Sequence, residues 1–219
     1  EILIPYLPKG TELDLFQGKA LVSVVGFLFN NTKVFGIRWP FHTNFEEVNL
    51  RFYVRYKDGA ESKRGVVFIK ELVPRMALTM VANTLYKEHY QTVPMSHCWN
   101  ERDTNLEIEY QWMMKGKSQQ INVIADNKQT EIPVGSETEF ITEHYWGYTK
   151  INDSKTSAYQ VTHPRWKAYS ILSHEINVDF GLVYGKDFEF LNSREPLSVM
   201  LAEGSEITVE GKSEISDKS

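Results

Sequence analysis

Between Phe45 and Tyr56 the chain reads Phe-Glu-Glu-Val-Asn-Leu-Arg-Phe-Tyr-Val-Arg-Tyr, with polar residues at every second position. Side chains alternate faces along a strand, so Glu47, Asn49, Arg51, Tyr53 and Arg55 share one side while Leu50, Phe52, Val54 and Tyr56 share the other. A carboxyl, an amide, a guanidinium and a phenol in one row can hold a carbonyl or carboxylate group, and a carboxyl inside a cavity can also exchange a proton with it. The same row turned to water is an ordinary solvated sheet face, the outcome in about two cases of three. Arg55, beside the Lys57-Asp58-Gly59 turn, is expected at the surface. Arg51 has a purely structural alternative, an ion pair with Glu47 two residues away.

Other chemistries lack their residue patterns. His42, His89, His97, His144, His163 and His174 form no His-x-x-x-His pair and Cys98 is the single cysteine, so the usual zinc spacings are missing and no metal or cofactor is expected. About nine in ten such scattered histidines are structural or exposed. His97 and Cys98 are adjacent, and on a strand they would point to opposite faces and share no proton. Gly-x-Ser-x-Gly, Gly-x-Gly-x-x-Gly and phosphate-loop patterns do not occur, and the six methionines read as core filler.

The polar row needs neighbours to hold it. Leu13 to Phe29 runs from the turn-prone Pro8-Lys9-Gly10 into a stretch apolar on both faces, which predicts a central strand ended at Asn30-Asn31. Gly65 to Ile69, returning after the Lys57-Asp58-Gly59 turn, is expected to pair with the polar-faced strand. Met76, Ala77, Met80, Val81, Thr84 and Leu85 recur at helical spacing after Pro74, predicting a helix to about Tyr86. Leu106–Met113 and Gln119–Ala125 flank Lys115-Gly116-Lys117 as a hairpin. Ser136-Glu137-Thr138-Glu139 is a capping box opening a short helix to about Tyr145. Beyond it, 159–162 and 167–173 read as extended on either side of His163-Pro164, 187–191 as one helical turn, and 197–201 with 206–209 as a closing hairpin around Glu203-Gly204.

Composition bounds the class. The 219 residues are 42% hydrophobic and 24% charged, enough for one large core, and no repeat or composition break divides them. One domain over 1–219 is expected, with an incomplete N-terminus because residue 1 is Glu rather than Met, and with 212–219 as a frayed polar tail. Aromatic content of 13% suits a β-rich architecture. A net charge of −5 with scattered basic residues lacks the electrostatic footprint of a nucleic-acid binder. A lone cysteine fits a reducing cytoplasm, the sequons at Asn30 and Asn152 are too common to weigh against it, and the longest apolar run, Ala20 to Phe29, is far short of a membrane span. A cytoplasmic protein with no membrane or nucleic-acid partner is expected, its candidate partners being a small organic ligand and a second copy of the chain.

The run from Glu47 to Val54 resembles that of the YqjF-like family of uncharacterised bacterial proteins, a branch of the acetoacetate decarboxylase-like superfamily. Further similarities follow in order: Gly65 to Phe68, Leu85-Tyr86, Val134-Gly135-Ser136 with Glu139, Phe140, Thr142 and Tyr145, His163-Pro164 with Trp166, and Pro196 to Val199 leading to Ala202-Glu203-Gly204. The resemblance implies a mainly β (α+β) fold, a cone-shaped and largely antiparallel β-barrel of acetoacetate decarboxylase-like type with a few flanking helices and a ligand pocket in the cone. It also implies that Glu47 is the pocket carboxylate. In acetoacetate decarboxylase a lysine forms a Schiff base with the keto substrate, aided by a neighbouring lysine that lowers its pKa. Here those two positions fall on Tyr90 and Gln91, neither of which forms an imine. Lys87 lies three residues upstream beside Glu88 rather than a second lysine, so a solvated surface role is expected for it.

The expected function is therefore binding of a small carbonyl or carboxylate compound through Glu47, Asn49, Arg51 and Tyr90, with acetoacetate decarboxylase activity not expected. The rival is an enzyme in which Glu47 is general acid or base on a keto acid or lactone and Tyr90 steadies the oxyanion. A third reading is a structural or partner-binding protein whose barrel is filled by side chains.

Overall fold

The computed structural model describes residues 1–30, 44–76, 79 and 89–216. The architecture is built on a long antiparallel hairpin. Strand β5 (Phe45–Asp58) turns at Gly59, whose φ of 62° suits a residue without a Cβ, and returns as β6 (Glu61–Val73). Leu50 lies opposite Lys70 but Arg51 lies opposite Phe68, so Ile69 is an extra residue bulged out of the ladder. The bulge shifts the alternation of β6, and Val66, Phe68 and Glu71 come to share the face of Tyr53, Arg51 and Asn49.

The outer edge of β5 is covered by β1 (Thr11–Leu13) along Val54–Tyr56 and by β4 (Val22–Phe29) along Phe45–Phe52. Between these, β2 (Leu15–Phe16) and β3 (Lys19–Ala20) make a small ribbon. The outer edge of β6 is shared by two short parallel pairings, β7 (Tyr90–Thr92) along Glu71–Val73 and β11 (Trp146–Asn152) along Gly65–Val66. β11 continues into β12 (Lys155–Thr162), which receives β15 (Thr208–Val209) and β16 (Ser213–Ser216). The second sheet comprises β8 (Met95–Glu101), β9 (Asn105–Met114), β10 (Lys117–Glu131), β13 (Lys167–Asn177) and β14 (Leu201–Ala202), in the order β14-β13-β10-β9-β8.

The two sheets enclose the main core. Val48, Leu50, Phe52 and Val54, each at most 1% exposed, belong to one cluster with Ile108, Tyr110 and Trp112 of β9. Val183 and Tyr184 of helix α2 (Phe180–Tyr184) and Phe188 complete it. Burying each such side chain contributes about 1.5–3 kcal/mol. Gly26 marks how closely β4 approaches β9, since a Cβ there would stand 2.7 Å from the Tyr110 ring. A smaller cluster of Leu21, Tyr53, Val66, Phe140 and Ile141 lies on the opposite, polar face of the hairpin, where helix α1 (Glu137–Thr142) covers the end nearest Tyr53.

Several expectations are corrected. The fold is mostly β, but among the described residues no sheet closes into a barrel. The first sheet is open, because among the described residues the free edge of β4 meets no strand and the short strands at the far side end on β12. β4 is accordingly an edge strand, half-buried throughout, rather than a central one. The closing hairpin expected over 197–209 does not form. Leu201–Ala202 joins β13 and Thr208–Val209 joins β12, so this segment ties the two sheets together. The tail expected to fray at 212–219 instead adds Ser213–Ser216 to Lys155–Ala158. The Ser136 oxygen does accept from the Glu139 amide, but Glu139 answers with the Gly135 amide and with Arg165, and α1 stops at Thr142 rather than near Tyr145. The helix expected from Pro74 to Tyr86 lies almost wholly outside the described residues. The hairpin of β9 and β10 is as expected, turning on Lys115 and Gly116 with φ of 49° and 80°.

Candidate functional site

Cross-strand register places the polar groups before any side chain is considered. Val25 of β4, Asn49 of β5, Glu71 of β6 and Tyr90 of β7 occupy one row across four strands, with Phe27 and Glu47 facing each other one step over on the same side. Glu47 is 3% exposed and is held at both oxygens, Oε1 by the Asn49 amide at 2.8 Å and Oε2 by the Tyr90 hydroxyl at 3.1 Å. Burial pushes the Glu47 carboxyl above its ordinary range, against the two hydrogen bonds and the charge of Arg51, which pull it down. The result is a desolvated carboxyl whose contacts favour the ionised form and whose surroundings favour the neutral one.

Glu47, Arg51, Glu71 and Tyr90 line a cleft of about 2640 Å³ that opens along β4 and the 194–211 segment. Asn49, wholly buried, stands behind them and holds Glu47; its own Oδ1 meets no donor. The Arg51 guanidinium lies over the rings of Phe27 and Tyr53, 5.7 and 5.8 Å from their centroids. It forms no ion pair with Glu47, and its Nε is buried without a partner, so the structural alternative for Arg51 is set aside. Tyr53 and Arg55 leave the site: the Tyr53 hydroxyl donates to Ser23, and Arg55 pairs on the surface with Glu12 at 2.8 Å. Gln91 pairs with Leu72 and its amide meets Met114, so only Tyr90 of the two positions faces the cleft. Lys87 lies outside the described residues, and among those described no lysine lines the cleft.

The sequence reading missed a second polar cluster on this face. Just past α1, His144 is carried against Tyr53 and Phe140, with ring centroids 4.8 and 4.9 Å away. Its Nε2 lies 3.1 Å from Asp14 Oδ2, which also accepts from Arg64 Nε at 2.7 Å. Burial alone would raise Asp14, but the hydrogen bonds from His144 and Arg64 hold its carboxyl below the ordinary range. Burial in turn pushes the His144 imidazole down, with only partial opposition from Asp14. A neutral ring beside an ionised carboxylate carries its proton on Nε2 and leaves a lone pair on Nδ1. That nitrogen is buried and has no partner, and His144 is part of the cleft lining. The signal available in the sequence was the capping box, which fixes where α1 begins; the 130-residue separation of His144 from Asp14 hid the pair.

Residues 1–206 match the profile of the DUF2071 family, described as an uncharacterized conserved protein. No curated protein matches the chain. Among solved structures, the enduracididine biosynthesis enzyme MppR with HEPES buffer bound superposes with a TM-score of 0.63 at 13% identity, over 100% of this chain and 82% of that one. MppR complexed with the condensation product of pyruvate and imidazole 4-carboxaldehyde gives 0.62 at 13% identity, over 100% and 84%. An acetoacetate decarboxylase-like enzyme from Sphingomonas wittichii RW1 gives 0.56 at 10% identity, over 98% and 84%. At such identities the likeness is one of fold. Among the described residues no helix is long and apolar enough to cross a membrane, and no group of three or more His, Cys, Asp or Glu is placed to hold a metal ion.

Proposed function

The chain belongs to the DUF2071 family, and on that premise we propose that it binds a small carbonyl or carboxylate compound at the face formed by Glu47, Asn49, Arg51 and Tyr90, without imine chemistry. The observation that carries this is Glu47, desolvated in the cleft wall and held by Asn49 and Tyr90, with the Arg51 guanidinium one step along and in no ion pair among the described residues. Arg51 supplies the charge that a ligand carboxylate needs, and Glu47 with Tyr90 supplies a hydrogen-bonding pair for a carbonyl. MppR has been captured with pyruvate, a ligand of this class on the same fold. Tyr90, not an amine, occupies the cleft-facing position where the resemblance places the reactive lysine, which is why binding is favoured over decarboxylation.

Calorimetric titration with pyruvate and acetoacetate tests the reading. Binding to the parent protein and a loss of about tenfold or more in Arg51→Met are expected, matching the removal of one charge-assisted contact. Binding that survives Arg51→Met and Tyr90→Phe unchanged places the ligand elsewhere and ends the proposal. Borohydride trapping with the same keto acids is expected to leave no adduct; an adduct on any lysine, Lys87 included, restores imine chemistry.

A second reading is favoured by the upward displacement of the Glu47 carboxyl, which lets it hold a proton above the ordinary carboxylate range. Glu47 would then act as general acid or base on a keto acid or lactone, with Tyr90 donating to the developing oxyanion. Deuterium exchange into the methyl group of pyruvate, followed by proton NMR, distinguishes it: exchange that is lost in Glu47→Gln supports catalysis, and exchange at the buffer rate supports binding alone.

A further inference from the structure

The binding reading uses one end of the polar face and leaves the other unexplained. Asp14, Arg64 and His144 form a preformed unit there. Asp14 is anchored by its own amide, which donates to the Tyr53 carbonyl at 3.0 Å, while its carboxylate fixes both the orientation and the tautomer of His144. The ring is clamped between Tyr53 and Phe140. What this arrangement presents is one hydrogen-bond acceptor, Nδ1, on a side chain that is 1% exposed and lines the cleft, with no donor to meet it. A buried acceptor left unmet costs roughly 1–3 kcal/mol, so a preformed one is a feature that a bound donor would repay.

Arg51 stands between this unit and Glu47. Arg51 and Tyr53 are two residues apart on one face of β5, about 7 Å along the strand, and the His144 ring lies on Tyr53. A ligand whose carboxylate meets Arg51 therefore reaches His144 with an atom a few carbons further on. We propose that His144 is a second contact group of the cleft, accepting through Nδ1 a hydrogen bond from a ligand hydroxyl, so that the site prefers small hydroxy acids to acids of the same length without hydroxyls. This rests on the carboxylate reading of Arg51 and narrows it to a chemical class. Asn49 Oδ1, also unmet, belongs to a residue outside the cleft lining, whereas His144 belongs to the lining itself.

The test uses two probes of equal carbon number, gluconate and hexanoate. Gluconate carries a hydroxyl on every carbon beyond the carboxylate, so one falls within reach of Nδ1 whatever the spacing. Calorimetry on the parent protein, Arg51→Met, His144→Phe and His144→Asn gives the comparison. Phenylalanine keeps the ring between Tyr53 and Phe140 without the acceptor, and asparagine returns an acceptor near Nδ1. Gluconate is expected to bind the parent protein more tightly than hexanoate, to lose about tenfold in His144→Phe, and to regain most of that in His144→Asn, as for one hydrogen bond. On the unmutated protein, the ¹⁵N resonance of His144 Nδ1 is expected to move on adding gluconate and to stay put with hexanoate, an arm that needs no variant to fold. Equal binding of both acids, lost in Arg51→Met but unchanged in His144→Phe, overturns the role of His144 and leaves the carboxylate site standing. Failure of both acids to bind the parent protein overturns the carboxylate site as well.

Discussion

Replacing Glu47 by glutamine isolates the energetic state of the candidate site. In the folded protein burial raises the carboxyl above its ordinary value of 4.5, so between pH 4.5 and the folded value the native state holds a proton that the unfolded chain has released. Over that window stability falls as pH rises, by up to about 1.4 kcal/mol per pH unit for one proton. Glutamine has nearly the same shape, keeps one oxygen for Asn49 or Tyr90, and does not titrate. The stability of the parent protein minus that of Glu47→Gln is therefore expected to decline steadily as pH rises from 4.5 and to level off above the folded value. Other groups cancel in the difference, provided the two proteins titrate alike elsewhere. Urea unfolding followed by circular dichroism at half-unit steps from pH 4 to 8.5 measures it. A flat difference would refute the claim that burial dominates. A difference that grows with pH up to 4.5 and is constant above it would mean that Asn49, Tyr90 and Arg51 together outweigh desolvation and hold the carboxylate ionised, which would remove the basis for proton transfer by Glu47 and strengthen pure binding.

Two further outcomes follow from the same physics. Gly65→Ala puts a Cβ 2.5 Å from the Trp146 carbonyl oxygen, a backbone atom that cannot swing aside, so the β6–β11 pairing must shift; a loss of about 1–3 kcal/mol is expected in denaturant unfolding. His144, depressed by burial, and Asp14, depressed by its partners, both bind protons more readily when unfolded, so stability is expected to drop as pH falls below 6.5 and further through the Asp14 range. His144→Phe should flatten the upper part of that acid limb, which thermal unfolding between pH 5 and 7.5 would show.

The chain announces part of this design openly. The period-2 pattern of β5 is readable because a strand forces alternation, and the β5–β6 and β9–β10 hairpins are readable because Gly59 and Lys115-Gly116 occupy turn conformations that few residues tolerate. Tyr90 became a candidate only by resemblance, since nothing local distinguishes it from any other half-buried tyrosine. The rest depends on long-range pairing. That β4 ends at an open edge cannot be read from its apolar composition, because an edge strand between a cleft and a second sheet is as apolar as a central one. The 197–209 segment carries hairpin chemistry at Glu203-Gly204, yet its flanks find separate partners on β13 and β12. The Asp14–His144 contact joins residues 130 positions apart, and no local signal encodes it.

The bulge at Ile69 gives β6 a changeable phase. Upstream of it the strand shows the cleft its odd-one-out apolar residues, Val66 and Phe68; downstream it shows Glu71, three positions on rather than two. Closing the bulge without shortening the chain, so that Ile69 pairs with Leu50, would leave β5 with Glu47 and Arg51 untouched, yet would turn the downstream half of β6 over, sending Glu71 toward the core and Leu72 toward the ligand. Whether the extra residue stays bulged or enters the ladder is thus a lever on the polarity of the cleft floor. A substitution that favours the regular ladder over the bulge at Ile69 would therefore change the cleft floor without touching a residue that lines it.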